Sequence, residues 1–149
     1  MDTRPLRYRF AESWTAPAAP AAVRDVLVDL EHYPDWWPQV VAVASLGPDD
    51  ALVLCRSGLP YTLDLRLHAV RRELPTLEVR VGGVLDGWVR WTLTAEGPHT
   101  RIDVAQEVRA RGALAWASLV GRPLLRWNHA RMMAGCRAGL AARLGAQRA

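Results

Sequence analysis

The sequence predicts an α+β domain in which one antiparallel sheet packs against a long C-terminal helix. Apolar and polar residues alternate in several segments, which is the pattern of strands that bury one face. Short turns with Gly or Pro separate most of these segments, as between neighbouring strands of an antiparallel meander. After residue 121 a helical pattern extends to Leu144. The helices are thus set apart from the strands, as this fold class requires.

The first forty residues predict a strand, a helix and a short helical turn. Alternation predicts the strand over residues 6–14, and apolar residues three and four apart predict an amphipathic helix that starts near Pro20. Two prolines exclude a regular helix from residues 31–40, where Trp36 and Trp37 need burial. Adjacent residues on a helical turn point about 100° apart. We therefore expect one indole in the core and the other at the mouth of an interior pocket.

Six further strands are predicted before the long helix, which makes seven in all. The clearest alternation places one set of side chains inward, namely Tyr61, Leu63, Leu65, Leu67 and Ala69. The six predicted strands cover residues 40–46, 51–57, 61–71, 76–81, 88–94 and 100–111. Their shared inward faces predict one buried side of the sheet.

The long helix is predicted to begin at Gly121-Arg122-Pro123 and to end at Gly145. Its inward stripe is predicted to consist of Leu125, Asn128, Met132, Gly135, Cys136, Gly139 and Leu140. A glycine in a helix interior costs about 1 kcal/mol relative to alanine. We therefore expect a bulky neighbour to fill the space above the two glycines. The same pattern places His129 on the outward face, and the strand pattern does so for His68.

Length and composition indicate one globular domain over residues 1–149. Half of the residues are hydrophobic and 23% are charged, which suffices for a core at this length. No apolar stretch approaches the roughly 20 residues of a membrane span. The N-terminus also lacks the apolar core of a secretory signal. We therefore expect a cytoplasmic protein without a transmembrane segment.

Charge and ligating residues argue against several functions. The net charge is +4, and the 19 basic residues are all Arg, accompanied by 15 acidic residues. Because Arg codons are rich in G and C, this bias indicates a G+C-rich genome, and no nucleic-acid motif accompanies it. Two cysteines and four histidines lack the spacing of a metal site. We expect no nucleic-acid partner, no metal and no cofactor, while the oligomeric state is left open.

Three segments in this element order carry a resemblance. Residues 26–38 read VLVDLEHYPDWWP, residues 90–93 read RWTL and residues 105–108 read AQEV. The chain resembles the START-like, polyketide cyclase/dehydrase superfamily of bacterial helix-grip proteins over nearly its whole length. The resemblance implies a curved seven-stranded antiparallel sheet wrapped around the C-terminal helix. None of these segments is catalytic, so they indicate a fold more strongly than a function.

The resemblance also implies a ligand cavity between the sheet and the long helix. Members of the superfamily hold lipids, sterols, quinones, plant hormones or nascent polyketides there. The alternation and the helix stripe predict its wall, and Trp37 is added as the indole at its mouth: Trp37, Tyr61, Leu63, Leu65, Leu67, Val79, Val81, Trp91, Gln106, Val108, Asn128 and Met132. A cavity of a few hundred Å³ is expected. A solid core would need the same inward apolar side chains, so the pattern leaves both structures open.

Catalysis would need a group that stabilises a developing oxyanion, and three side chains are candidates: Arg56, Tyr61 and Gln106. The similar aromatase/cyclases place polar and cationic groups on the strand where this chain has leucines. Gln106 and Asn128 are also able to bond each other across the gap between helix and sheet. We therefore favour binding of an apolar lipid-, quinone- or polyketide-like molecule.

Two alternatives remain open. One is a polyketide aromatase/cyclase or dehydratase, and the other is a quinone-binding chaperone or ribosome-associated interaction protein. Neither the ligand nor a reaction follows from the sequence.

Overall fold

A computed structural model describes residues 7–56, 62–83, 85–110 and 112–148, and in the last helix the side chains of residues 123 and 126–145. The described strands are β1 (Arg7–Ala16), β2 (Val40–Ser45), β3 (Asp50–Cys55), β4 (Leu63–Arg71), β5 (Thr76–Gly83), β6 (Leu85–Glu96) and β7 (His99–Ala110). The helices are α1 (Pro20–Val28), α2 (Tyr33–Trp36) and α3 (Gly112–Arg148), with a 3₁₀ turn at Leu30–His32. The predicted order of elements is confirmed.

The seven strands form one antiparallel sheet in the order β1-β7-β6-β5-β4-β3-β2. The first and last strands are therefore neighbours, while β2 forms the opposite edge. The register places Phe10 beside Gln106, Gln106 beside Val89 and Val89 beside Val79. Paired residues of neighbouring strands share a face. This row of side chains consequently crosses the sheet on the side that faces the helices.

The long helix α3 packs with α1 and α2 against the inner face of this curved sheet, as in the helix-grip fold. Its most deeply buried side chains in this packing are Cys136, Leu140 and Leu144, which meet Val23 of α1 and Ile102 of β7 in one core. No helix in the described part of the chain is both long and apolar enough to cross a membrane.

The segment after α1 lies against the two glycines of α3. A Cβ added at Gly139 would lie 1.7 Å from the backbone oxygen of Trp36. One added at Gly135 would lie 1.9 Å from the side-chain oxygen of Gln39. Trp36 and Gln39 are thus the bulky neighbours that the glycine spacing predicts.

The predicted ends of α3 are wrong. The helix begins at Gly112, so Pro123 lies inside it, and it continues past Gly145 to Arg148. Proline removes one backbone hydrogen bond within a helix, but the neighbouring turns keep theirs. Gly145 is not among the glycines with positive φ, so it has no left-handed cap to end the helix. Pro and Gly are enriched near helix ends but do not require one, and here the helix continues through both Pro123 and Gly145.

Candidate ligand-binding site

A cavity of about 160 Å³ lies between the inner face of the sheet and the three helices. Its wall is almost wholly apolar, and apart from the groups treated below it consists of Leu27, Val28, Leu30, Val40, Val53, Leu63, Leu65, Leu67, Ala69, Leu77, Val79, Val81, Leu85, Val89, Trp91, Val104 and Met133. The volume is smaller than the few hundred Å³ predicted. The structure nevertheless has a void where the sequence pattern also allowed a solid core.

The strands supply one wall of the cavity through the cross-sheet row described above. Ala69, Val79, Val89 and Gln106 stand side by side in the register of β4, β5, β6 and β7, and all four line the cavity. Their neighbours along each strand point to the other face. One row of the sheet therefore presents three aliphatic groups and a single amide to a bound molecule.

The helices close the opposite side of the cavity. The indole Nε1 of Trp37 donates a hydrogen bond to the backbone oxygen of Met132 over 2.9 Å, which ties the α2 segment to α3. The hydroxyl of Tyr33 donates to the backbone oxygen of Leu27 and so ties α2 to α1. Burial raises the pKa of Tyr33 above its ordinary value. These polar groups are satisfied by the protein and leave their apolar surfaces for a ligand.

Gln106 and His129 form a polar pair in this apolar wall. The Nε2 atom of His129 lies 2.9 Å from the Oε1 atom of Gln106, and Phe10 stacks on the imidazole with 3.5 Å between ring centres. Burial lowers the pKa of His129 to about 4, so the imidazole is neutral at pH 7. Because an amide oxygen only accepts, His129 donates from Nε2. The amide N–H groups of Gln106 are not used in this bond.

The outward position predicted for His129 is wrong, and the side chain bonded to Gln106 is His129. His129, one residue after Asn128, lies beside Gln106, because successive residues on a helix point about 100° apart. Met132 and Met133 follow His129 by three and four residues, so all three share one face of the helix and line the cavity. This spacing could have predicted the position of His129 from the sequence. His68, by contrast, is exposed as predicted and lies 2.9 Å from Asp50.

Most of the predicted wall residues do line the cavity. They are Trp37, Leu63, Leu65, Leu67, Val79, Val81, Trp91, Gln106 and Met132. Val108 and Asn128 are buried but are not part of the wall, and Arg56 is exposed. Val108 pairs with Tyr8 of β1 and Gly87 of β6, one inward position beyond Gln106 along β7. Tyr61 lies outside the described residues.

The different exposure predicted for the two adjacent tryptophans is wrong. Trp36 is 7% exposed and Trp37 is 9% exposed, so both indoles are buried. They still have different neighbours, because Trp37 lines the cavity whereas Trp36 packs against Gly139. The indoles lie 5.6 Å apart at an angle of 23°. The two indoles are stacked and buried, so neither lies at an open mouth of the cavity.

Other reactive groups near the cavity are held in unreactive states. Cys55 lines the wall, and burial raises its pKa to about 12, so the thiol stays protonated. No group of three metal-ligating side chains occurs among the described residues. At the rim, Arg72 forms an ion pair with Asp49 at 2.9 Å, and Arg71 is exposed beside it. The interior therefore offers hydrogen bonding at Gln106 and otherwise apolar surface.

Comparison with protein families gives one match that spans most of the chain. Residues 7–145 match the family model described as "Polyketide cyclase / dehydrase and lipid transport". No curated protein sequence matches this chain.

Several solved structures have the same fold at low sequence identity. A protein from Thermus thermophilus has a TM-score of 0.83 at 14% identity, over 95% of this chain and 100% of that one. A START superfamily protein from Mycobacterium smegmatis has a TM-score of 0.78 at 12% identity, with 93% and 98% covered. The Zhui aromatase/cyclase from a Streptomyces species has a TM-score of 0.77 at 15% identity, with 97% of each chain covered. At these identities the likeness is one of fold.

Proposed function

This chain belongs to the polyketide cyclase/dehydrase and lipid transport family, and we propose that it binds a compact apolar molecule in its interior cavity. The observation that carries the proposal is the void itself, because its predominantly apolar wall favours a molecule that water solvates poorly. Lipid-, quinone- and polyketide-like compounds share this property. A cytoplasmic location and the lack of a nucleic-acid partner remain predictions.

The size and polarity of the cavity narrow the ligand class. An apolar cavity of about 150 Å³ stays dry and takes up a molecule of benzene's size, and this one measures about 160 Å³. The Gln106 amide offers N–H donors to a carbonyl or hydroxyl oxygen, while neutral His129 adds no charge. The ligand that fits best is a neutral molecule, or part of one, with one or two rings and a single oxygen group.

A matched pair of probes tests this assignment. Naphthalene and 2-naphthol have the same ring shape and differ by one hydroxyl, and their binding to the full chain is measured through tryptophan fluorescence. We expect 2-naphthol to bind more tightly to the wild type. In the Gln106→Leu variant that preference should fall by roughly five-fold or more, because a hydrogen bond is worth about 1 kcal/mol. Naphthalene affinity is the internal control and should hold.

Two results would contradict the proposal. One is that neither probe shows saturable binding. The other is that the Gln106→Leu variant loses affinity for naphthalene and 2-naphthol by the same factor.

Catalysis as an aromatase/cyclase is the second candidate, and the Gln106–His129 pair is the observation that favours it. The pair supplies a donor for an oxyanion, but a histidine with a pKa of about 4 is a weak general base at pH 7. A polyketide surrogate added to the same variants distinguishes the two functions. Turnover by the wild type that falls roughly 100-fold in Gln106→Leu, at unchanged affinity, would establish catalysis.

A further inference from the structure

The positive charge of the chain is concentrated in α3. Residues 112–148 hold six arginines and no Asp or Glu, since the acidic residues end at Glu107. The other 13 arginines are outnumbered by the 15 acidic residues of the chain. The whole positive excess therefore belongs to one helix of 37 residues, although the arginines themselves occur throughout the sequence.

The outer face of α3 presents this charge together with an exposed tryptophan. Trp127 is 46% exposed, and the guanidinium of Arg131 lies 5.3 Å from the centre of its ring. Arg126 and Arg137 are also exposed, on the flank of the helix beside β1, where their guanidinium groups lie 5.7 Å from the ring centre of Tyr8 and 5.2 Å from that of Trp14. Between these arginines and Trp127 lie the small exposed residues Ala130 and Ala134. We call the surface formed by Arg126, Trp127, Ala130, Arg131, Ala134 and Arg137 the helix outer face. It is basic and carries one large exposed apolar side chain.

We propose that the helix outer face docks on the surface of an anionic lipid bilayer. Arginines near such a surface are attracted by its negative potential, and tryptophan favours the boundary between headgroups and acyl chains. A helix of 37 residues is roughly 55 Å long and lies along the membrane with its basic side down. Charge complementarity and the exposed indole together select a lipid surface over an acidic protein.

The same stretch of α3 has the helix outer face on one side and the cavity on the other. His129, Met132 and Met133 line the cavity, while Trp127 and Arg131 point to the opposite side of the helix. The cavity and the docked surface are thus separated by the width of one helix. The docking does not depend on what the cavity holds, so it stands or falls independently of the proposed function.

Co-sedimentation of the full chain with vesicles tests the proposal. We expect binding to vesicles of phosphatidylcholine and phosphatidylglycerol in equal parts, and little binding to phosphatidylcholine alone. Binding should weaken between about 0.1 M and 1 M salt, as the screening length falls from about 10 Å to about 3 Å. Equal binding to both vesicle types, or no binding to either, would overturn the proposal.

Two double variants, each lacking two arginines, test whether the helix outer face is the docking surface. Arg126→Gln/Arg131→Gln should weaken binding by roughly five-fold per arginine removed. Arg66→Gln/Arg80→Gln removes the same charge from exposed positions on the outer side of the sheet and should leave binding nearly unchanged. Trp127→Ala, at an exposed position, keeps the charge and should also weaken binding. If the sheet pair weakens binding as much as the helix pair, the helix outer face is not the docking surface.

A competing class of partner is tested with duplex DNA under the same conditions. Tighter binding of DNA than of anionic vesicles, lost in the Arg126→Gln/Arg131→Gln variant, would show that this face serves nucleic acid and would overturn the lipid assignment.

Discussion

His129 is a titratable group held neutral by its surroundings. Phe10 covers one side of the imidazole, and Gln106 accepts its single N–H hydrogen bond. Neither partner carries a charge that would favour the imidazolium, so burial alone determines the direction of the pKa shift. The polar element of the cavity wall is consequently uncharged and suits a neutral ligand.

This shift predicts how stability depends on pH. The ordinary histidine pKa is 6.5, whereas His129 in the folded chain has a pKa of about 4. The unfolded state therefore binds a proton first as the pH falls, and the free energy of unfolding decreases from pH 6.5 towards pH 4. The loss amounts to at most roughly 3 kcal/mol. Denaturant unfolding across this pH range measures it.

Two histidine variants assign that pH dependence to one residue. His129→Phe should reduce the slope of stability against pH, whereas His68→Gln, at an exposed position, should keep it. A wild-type slope retained in His129→Phe would show that other groups cause the loss.

At the scale of elements, two glycines determine how closely the α2 segment approaches α3. The backbone of Trp36 occupies the space where a side chain at position 139 would lie. This contact also holds Trp37 in position to donate its hydrogen bond to α3 and to line the cavity. Glycine here costs helix stability but permits the packing that closes the site.

Alanine substitutions of two glycines in α3 separate these effects. Gly139→Ala should destabilise the fold by about 1–3 kcal/mol, because its Cβ would lie 1.7 Å from the Trp36 oxygen. Gly145→Ala meets no atom within 4 Å and should stabilise the helix by up to about 1 kcal/mol. Thermal unfolding of both variants measures the difference. Equal effects of the same sign would contradict the close approach of Trp36.

At the scale of the whole molecule, the cavity is space that sheet and helices leave unfilled. Filling it should abolish binding without harming the fold. Val79→Phe adds a ring inside the void, so we expect naphthalene affinity to fall by at least roughly ten-fold while thermal stability is retained or rises.

Val70→Phe is the matched control, since Val70 is 51% exposed on the neighbouring strand. It should leave naphthalene binding as in the wild type. Unchanged binding in Val79→Phe would place the ligand elsewhere.

The sequence by itself determined which strand faces are buried and how the elements follow one another. Alternation is a local property, because successive side chains of a strand point to opposite faces. It therefore placed Leu63, Leu65, Leu67, Val79 and Gln106 on the inner face correctly. The concentration of positive charge in residues 112–148 is likewise a property of the sequence alone.

Only the tertiary structure decided which inner residues meet a void and which meet one another. Gln106 and His129 are 23 residues apart, and a rotation of one helical position would exchange His129 for Asn128. Val108 follows the same alternation as Gln106 and is buried, yet it does not line the cavity. A cavity is a small difference between the space enclosed by all elements and the volume of the side chains that fill it. No local pattern specifies that difference, so it appears only when the elements are packed together.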